Sequence, residues 1–331
     1  MSIRLGILMD PITAIRAHKD SSFAMLLAAQ ARGWQLFYME QKDLYLRNER
    51  AFASMRQLKV DDRDSDWFEW SEAEDLPLSG LDILLMRKDP PMDMEYLYTT
   101  FILERAELEG LLVLNRPASL RDSNEKLYTA WFPEVCSPTL VSRRHAEFDR
   151  FIDTHRDVIL KPLDGMGGAS VFRVRAEDSN RNVIIETLTG HGTRYTMGQR
   201  FIPEIRDGDK RIIVIDGEAI PYALARVPSA GENRGNLAAG GSGVGVALSD
   251  KDRQIVETVA PRLREQGILF AGLDVIGDYL TEVNVTSPTG IRELDKAFGL
   301  NIAGLMFDAI DLAHFRSSSS RITGVSQHER H

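Results

Sequence analysis

Residues 273–288 read LDVIGDYLTEVNVTSP, a hairpin-like apolar run into which Asp274, Glu282 and Asn284 are set. Burying a polar group without a partner costs on the order of a few kcal/mol, and an unpaired carboxylate costs more, so these side chains call for a cation or strong donors. Glu282 and Asn284 are two apart on a strand and share one face, while Val283 and Val285 take the other. Asp274 joins that face if 274 pairs with 282 and 272 with 284, which predicts an odd loop such as Gly277-Asp278-Tyr279. A two-residue Gly-Asp turn would place Asp274 on the opposite face. Oxygen donors without His or Cys suit Mg²⁺ or Mn²⁺, with phosphate oxygens and water completing the shell. Acidic residues at the solvated edge of a hairpin are the competing reading, and this stretch alone leaves both open.

Upstream, residues 158–170 read VILKPLDGMGGAS: a strand delivers Lys161, and a glycine-rich turn leads into a second strand, SVFRV. A Walker loop or a dinucleotide fingerprint would open a helix at this point, so this is neither. Its glycines let backbone amides approach an anion, and the lysine adds a point charge for phosphate. A flexible hairpin with a snorkelling lysine fits the same residues. Lys126 falls on a predicted helix in NEKLYTAWF, and Lys210 and Arg211 mark a strand start in RDGDKRIIVIDG. Arg226 and Arg234 belong to RVPSAGENRGNLAAGGSGVG, residues 226–245, whose length and glycine content predict a lid or a disordered segment. Either arginine closes over phosphate or carboxylate, or is a solvated charge. His191 and Cys136 have no triad partners in the pattern and are read as structural.

Around these motifs the chain is that of an ordinary soluble protein of two domains, or one domain with a lid. It has 331 residues with 40 Lys+Arg against 49 Asp+Glu, a formal charge of −9, which argues against a nucleic-acid or anionic-membrane surface. The single Cys136 excludes an intrachain disulfide, a Cys-based zinc site and a CxxC pair. The start MSIRLGILMD does not read as a signal peptide and no apolar run reaches transmembrane length, so a cytoplasmic location is expected.

IRLGILM, DSSFAMLLAAQARG and WQLFYM read as strand, helix and strand, and LDILLMR, MEYLYTTFILERAELEG and LLVLN repeat the unit. This pattern favours parallel strands joined by right-handed crossovers. KVDDRDSDWFEWSEAED, residues 59–75, is read as a connection with some strand or turn, and the first domain ends near Asn115 to Ser123. Beyond it, VILKP, SVFRV, NVIIETL, QRFI and KRIIVIDGEAIPYALARV are read as strands of an α+β region of antiparallel hairpins. The Ser-rich end is expected to be a frayed tail.

Taken together, the lysine of NEKLYTAWF, the KPLDGMGG loop between strands and the D…E-V-N hairpin resemble the ATP-grasp ligases. ILMDPI, SLRDSNEKLYTAWF, DGDKRIIVIDGE, RGNLAAGG and GLDVIGDYLTEVNVTSPTGIRE carry the likeness further, to the bacterial glutathione synthetases, over residues 3 to about 314. Gly290, where close relatives have cysteine, departs from the pattern. The resemblance implies an N-terminal parallel α/β domain over 1–123. An ATP-grasp fold follows, with a lid subdomain over 124–200, a C-terminal subdomain with the metal hairpin over 201–315, and a tail over 316–331. It implies that Lys126 and Lys161 contact ATP phosphates, with Gly165, Gly167 and Gly168 covering them. Gln199, Arg200, Phe201 and Ile202 would form the adenine hinge, with Asp209 near the ribose. Asp274, Glu282 and Asn284 would hold Mg²⁺ or Mn²⁺, and Arg211, Arg226 and Arg234 would face substrate carboxylates and the reacting phosphoryl group. The implied substrates are ATP, γ-glutamylcysteine and glycine, and the implied assembly is a homotetramer.

Overall fold

The computed structural model describes residues 2–63, 65–228 and 242–310. The chain begins with β1 (Arg4–Met9), α1 (Ser21–Ala31) and β2 (Gln35–Met39), and β1 and β2 pair in parallel as the pattern predicts. Asp20 caps α1 by accepting from the Phe23 amide. Next come β3 (Leu44–Arg47), β4 (Arg50–Val60), β5 (Phe68–Trp70) and β6 (Glu74–Pro77), all antiparallel to their neighbours. The sequence predicts part of this annex, residues 59–75, as a connection with some strand or turn, and β5 lies there; β3 and β4 are not anticipated. In β4 the buried residues Ala51, Ala53 and Met55 alternate with the partly exposed Phe52, Ser54 and Arg56, but small side chains inside and an aromatic outside make a weak signal. The parallel pattern resumes with β7 (Ile83–Arg87), α2 (Met94–Leu108) and β8 (Leu112–Leu114), giving the order β3-β4-β2-β1-β7-β8, with β5 and β6 also on β4.

After α3 (Pro117–Asp122) the chain makes a 3₁₀ turn over Leu127–Trp131, and Lys126 stands at its cap. The helix expected to carry Lys126 is therefore a single tight turn, because Asn124 Oδ1 takes up the amides of Lys126 and Leu127. A small antiparallel sheet follows, built from β9 (Thr139–Ser142), β10 (Asp157–Pro162), β11 (Phe172–Arg175) and β12 (Thr196–Arg200) in the order β11-β10-β12-β9. Two helices, α4 (His145–His155) and α5 (Arg181–Thr189), pack on it. The α5 segment contains NVIIETL, where the sequence pattern predicts a strand. Its β-branched residues favour β, but Ile185 and Leu188 share one helical face against Phe148 and Ile152, and Gly190 ends the helix in the left-handed conformation. Tertiary burial outweighs local preference here.

The third sheet consists of β13 (Asp209–Ile215), β14 (Glu218–Val227), β15 (Ser242–Ala247), β16 (Phe270–Ile276) and β17 (Tyr279–Asn284), all antiparallel in the order β15-β14-β13-β16-β17. Between these strands and after them lie α6 (Asp250–Glu265) and α7 (Ile291–Phe298). The sheet shares its cores with the N-terminal sheet: Leu8, Met86 and Val113 pack in one cluster with Ile212, Leu273 and Val283, while Leu5, Ile7 and Phe23 pack in another with Ile213 and Leu294. The small sheet has its own core of Phe148, Ile152, Val158, Leu160 and Val174. No helix among the described residues is long and apolar enough to cross a membrane.

Candidate active site

The register of the third sheet assembles the charges. Asp274 pairs with Glu282 and Gly272 with Asn284 across β16 and β17, Arg211 pairs with Asp274 across β13 and β16, and Asp209 pairs with Arg226 across β13 and β14. Residues directly opposite one another in antiparallel strands point to the same side, so the pleat gathers these polar groups while Leu273 and Val283 enter the core. The pairing of 274 with 282 is the one expected, but the loop is not. Ile276 pairs with Tyr279 around a two-residue Gly277-Asp278 turn, and the parity is restored by a bulge that leaves Thr281 as the extra residue. The Thr281 hydroxyl donates to the Asp274 carbonyl at 3.1 Å.

Two adjoining cavities open over this face and share Lys126, Gly165, Met166, Gly167 and Glu282. The first has apolar walls from Ile159, Val171, Ile205 and Ile276 and is closed along one side by Gln199, Arg200, Phe201 and Ile202. Its polar end holds Lys161, Gly168, Asp209 and Asp274. The second is lined by Arg211, Arg226, Asp89, Glu125, Asn284 and the segment from Thr286 to Thr289. A larger groove, lined by Trp34, Trp67 and Phe68 among others, lies against the outer strands and shares no residue with either.

Lys126 and Lys161 are both buried and converge on one carboxylate: Glu282 Oε1 is 3.7 Å from Lys126 Nζ and 3.5 Å from Lys161 Nζ. Lys126 Nζ also donates to the Gly165 carbonyl, which ties the glycine loop to the lysine turn. Burial lowers the Lys161 pKa, Glu282 opposes that shift and the Lys126 charge adds to it. Gly167 and Gly168 have φ of 62° and 79°, a conformation that side chains with a Cβ rarely adopt. An apolar slot ending in two buried ammonium groups under a glycine loop has the layout needed for a nucleoside polyphosphate, base in the slot and phosphates at the lysines.

The arginines are held differently. Arg211 donates to both oxygens of Asp274, with Nη2 to Oδ2 at 2.9 Å, and Arg226 Nη2 lies 2.9 Å from the same Oδ2. Arg226 also donates to Asp209 Oδ2 and to the Asp209 carbonyl. Burial pushes the Asp274 carboxyl up, but the two guanidiniums outweigh it and hold the group well below the usual carboxylate range. Asp209 goes the other way: burial, helped by the charges of Asp274 and Glu282, raises it to about 6 despite Arg226. Arg226 divides its charge between two carboxylates, which is why it does not carry Asp209 down. Asp209 Oδ1 is buried without a hydrogen-bond partner among the described residues.

Of the three expected metal ligands, Glu282 and Asn284 line the second cavity, and Asp274 lies on the same face with both oxygens committed to arginine. Asn284 Nδ2 donates to the Gly272 carbonyl at 3.2 Å, which leaves its Oδ1 as the group available to a cation. Arg234 lies outside the described residues. The sequence reading missed Glu125 and Asp89, which sit beside Lys126 and just after β7 without a motif of their own, and the apolar walls, which come from two strands, a loop and a 3₁₀ turn with no common pattern. It also missed Asn115, whose side chain bonds the Phe270 amide and the carbonyls of Phe270 and Val285, locking the hairpin to the N-terminal sheet.

This arrangement of two sheets and a glycine loop is an ATP-grasp fold. The crystal structure of D-cycloserine synthetase DcsG superposes with a TM-score of 0.66 at 14% identity, covering 94% of this chain and 99% of that one. The RimK domain protein ATP-grasp from Sphaerobacter thermophilus gives a TM-score of 0.60 at 17% identity, covering 92% and 98%. At these identities the likeness speaks for the fold alone. Family models narrow it: the N-terminal domain of prokaryotic glutathione synthetase matches residues 3–121 and its ATP-grasp domain matches residues 125–299. Proteins named glutathione synthetase from Pseudomonas syringae pv. tomato and Escherichia coli O127:H6 are 62% and 57% identical, covering 94% and 93% of this chain and 98% of each relative. The chain belongs to the prokaryotic glutathione synthetase family and is an ATP-dependent ligase.

Proposed function

We propose that the protein joins γ-glutamylcysteine to glycine, with ATP converted to ADP and phosphate. The observation that carries this reading is identity of 62% over 311 residues to a relative named glutathione synthetase. Two cavities meeting at Lys126 and Glu282 support it, since they let a nucleotide and a carboxylate substrate meet at one point. A carboxylate does not react with an amine at neutral pH. The cysteinyl carboxylate therefore attacks the γ-phosphorus of ATP and releases ADP, and glycine's nitrogen attacks the acyl phosphate. The tetrahedral intermediate expels phosphate to leave the amide.

In this reading Lys126 and Lys161 neutralise the transferred phosphoryl group under Gly165, Gly167 and Gly168. The base lies in the apolar slot against Gln199, Arg200, Phe201 and Ile202, and the unpartnered Oδ1 of Asp209 accepts from a ribose hydroxyl. Arg211 and Arg226 face the carboxylates of the dipeptide, and Arg234 belongs with them by family likeness. The donor set of Glu282 and Asn284 fits Mg²⁺ or Mn²⁺, and Asp274 would join only by releasing an arginine contact. Such an ion, bound with ATP, supplies charge neutralisation at the phosphates. By family likeness the domains divide into 1–123, 124–200 and 201–315, the protein is cytoplasmic, and the chain assembles as a tetramer, which sedimentation would test.

The deciding experiment measures ADP release with γ-glutamylcysteine plus glycine against pairs containing D-alanine or glutamate. Release dependent on both γ-glutamylcysteine and glycine is the expected result. Comparable release with another pair would make the protein a different carboxylate-amine ligase.

A further inference from the structure

Glu125 lines the second cavity and is tied to its floor by an unusual number of hydrogen bonds. Its carbonyl accepts from the Val283 amide at 2.8 Å, and its Oε1 accepts from the Val285 amide at 3.0 Å, the Thr286 amide at 3.1 Å and the Thr286 hydroxyl at 2.7 Å. Glu125 is thus bound to the strand that carries Glu282 and Asn284, and in sequence it adjoins Lys126. Its carboxyl sits deep in the protein yet keeps some accessible surface beside the cavity it lines. Among the described residues no donor reaches Oε2. One edge of the carboxylate is fixed by three donors and the other has no partner among the described residues. A purely structural brace needs only the first edge.

We propose that Oε2 of Glu125 receives the ammonium group of the incoming amino acid and takes its proton before attack. The inference rests on the ligase reading and adds the residue that prepares the nucleophile. An ammonium nitrogen has no lone pair, so one proton must leave before the C–N bond forms, and Glu125 accepts it. The freed amine attacks the acyl carbon, the C–O bond to phosphate breaks with its electron pair going to phosphate, and the second N–H proton leaves with that phosphate. Glu125 then returns its proton to solvent.

Three carboxylates line this cavity: Asp89, Glu125 and Glu282. Glu282 is already held between two lysines. The charges of Asp89 and Glu125 both act on Tyr96, but Asp89 otherwise acts on Asp20 and Arg87, whereas Glu125 feels Glu282 and Lys126, two of the residues at which the cavities meet. Glu125 is therefore the carboxylate beside the point of acyl transfer.

The test uses full-length enzyme, ATP and γ-glutamylcysteine, with glycine or hydroxylamine as nucleophile; hydroxylamine is largely neutral at pH 7 and needs no base. Glu125→Gln keeps an acceptor oxygen for the Val285 and Thr286 donors and replaces the free oxygen with an amide nitrogen. With glycine, kcat/KM is expected to fall roughly 10²–10⁴-fold, with a rise in the KM for glycine and little change in those for ATP and dipeptide. With hydroxylamine, hydroxamate formation is expected to retain the greater part of the wild-type rate. Equal loss with both nucleophiles would make Glu125 a brace for β17 and overturn the proposal, as would undiminished turnover with glycine. A glycine-selective loss in Asp89→Asn with Glu125→Gln unaffected would also overturn it. Wild-type enzyme that released no ADP with glycine and dipeptide would overturn the ligase reading itself.

Discussion

Asp274 and Glu282 are cross-strand partners on one face of one hairpin, yet their surroundings differ. Asp274 is 2% exposed, and both its oxygens are bonded by Arg211 while Arg226 adds a further contact. Glu282 keeps a quarter of its side-chain surface, 23%, and its two lysines stand at 3.5 and 3.7 Å, longer than a charge-assisted hydrogen bond. In the first cluster the Asp274 carboxylate is satisfied by the protein alone. The second has cations and a carboxylate in reach but unsaturated, which is what a site for phosphate and a divalent ion requires. Two carboxylates paired across one hairpin thus differ in how far the protein saturates them, and the difference lies in the number of donors each register delivers.

The largest expected effect separates the two by stability. Asp274→Asn leaves two buried guanidiniums with one charge partner fewer, and urea unfolding of the ligand-free protein is expected to show a loss of about 3–5 kcal/mol. A loss under about 1 kcal/mol would mean that the arginine cluster is as loosely held as the lysine one.

Glu282→Gln is expected to invert that pattern. Turnover should fall roughly 10²–10³-fold or more, because the charge between the lysines and, in the proposed site, a hard oxygen ligand are both removed. Stability should change little, since the contacts are long and Lys161, already lowered in pKa by burial, can shed its proton. Near-normal turnover at saturating Mg²⁺ would overturn the proposal that Glu282 is a metal ligand.

Asp209 gives a pH test of the arginine cluster. Its folded pKa of about 6 lies above the ordinary 3.8, so the fold prefers the protonated acid. The stability it contributes is fully present below pH 3.8 and is lost as pH rises through about 6. Asp209→Asn should therefore gain on wild type across that window, by on the order of 2 kcal/mol in urea unfolding at matched pH. A difference that stays flat from pH 4 to 7 would show that Arg226 neutralises Asp209 fully.

The smallest effect serves as a control outside both clusters. Burial raises the partly exposed Glu107 to about 7, with Arg116 opposing, so its contribution is present below the ordinary 4.5 and lost as pH rises through about 7. Glu107→Gln is expected to melt slightly above wild type at pH 8 and together with it near pH 4, with turnover unchanged. A gain as large at pH 4 as at pH 8 would point to packing rather than charge.

Much of this was legible locally. The alternation in TEVNV put Glu282 and Asn284 on one face, the βαβ spacing foretold the parallel strands β1, β2, β7 and β8, and the strand-loop-strand form of KPLDGMGG ruled out the commoner phosphate loops. Those inferences rest on chain stereochemistry with periods of 2 and 3.6 residues, which acts over a few positions and needs no partner. Tertiary structure decided the rest. NVIIETL became a helix because its Ile185 and Leu188 face found Phe148 and Ile152. The hairpin kept its 274–282 pairing through a bulge at Thr281 rather than an odd turn, since burying Leu273 and Val283 leaves no other register open. Lys126, Lys161 and Glu282 are separated by up to 156 residues in the chain and meet only because three segments are folded onto each other. Whether a carboxylate among arginines and lysines is saturated or open depends on distances across strands, and those are set by packing that no local spacing records.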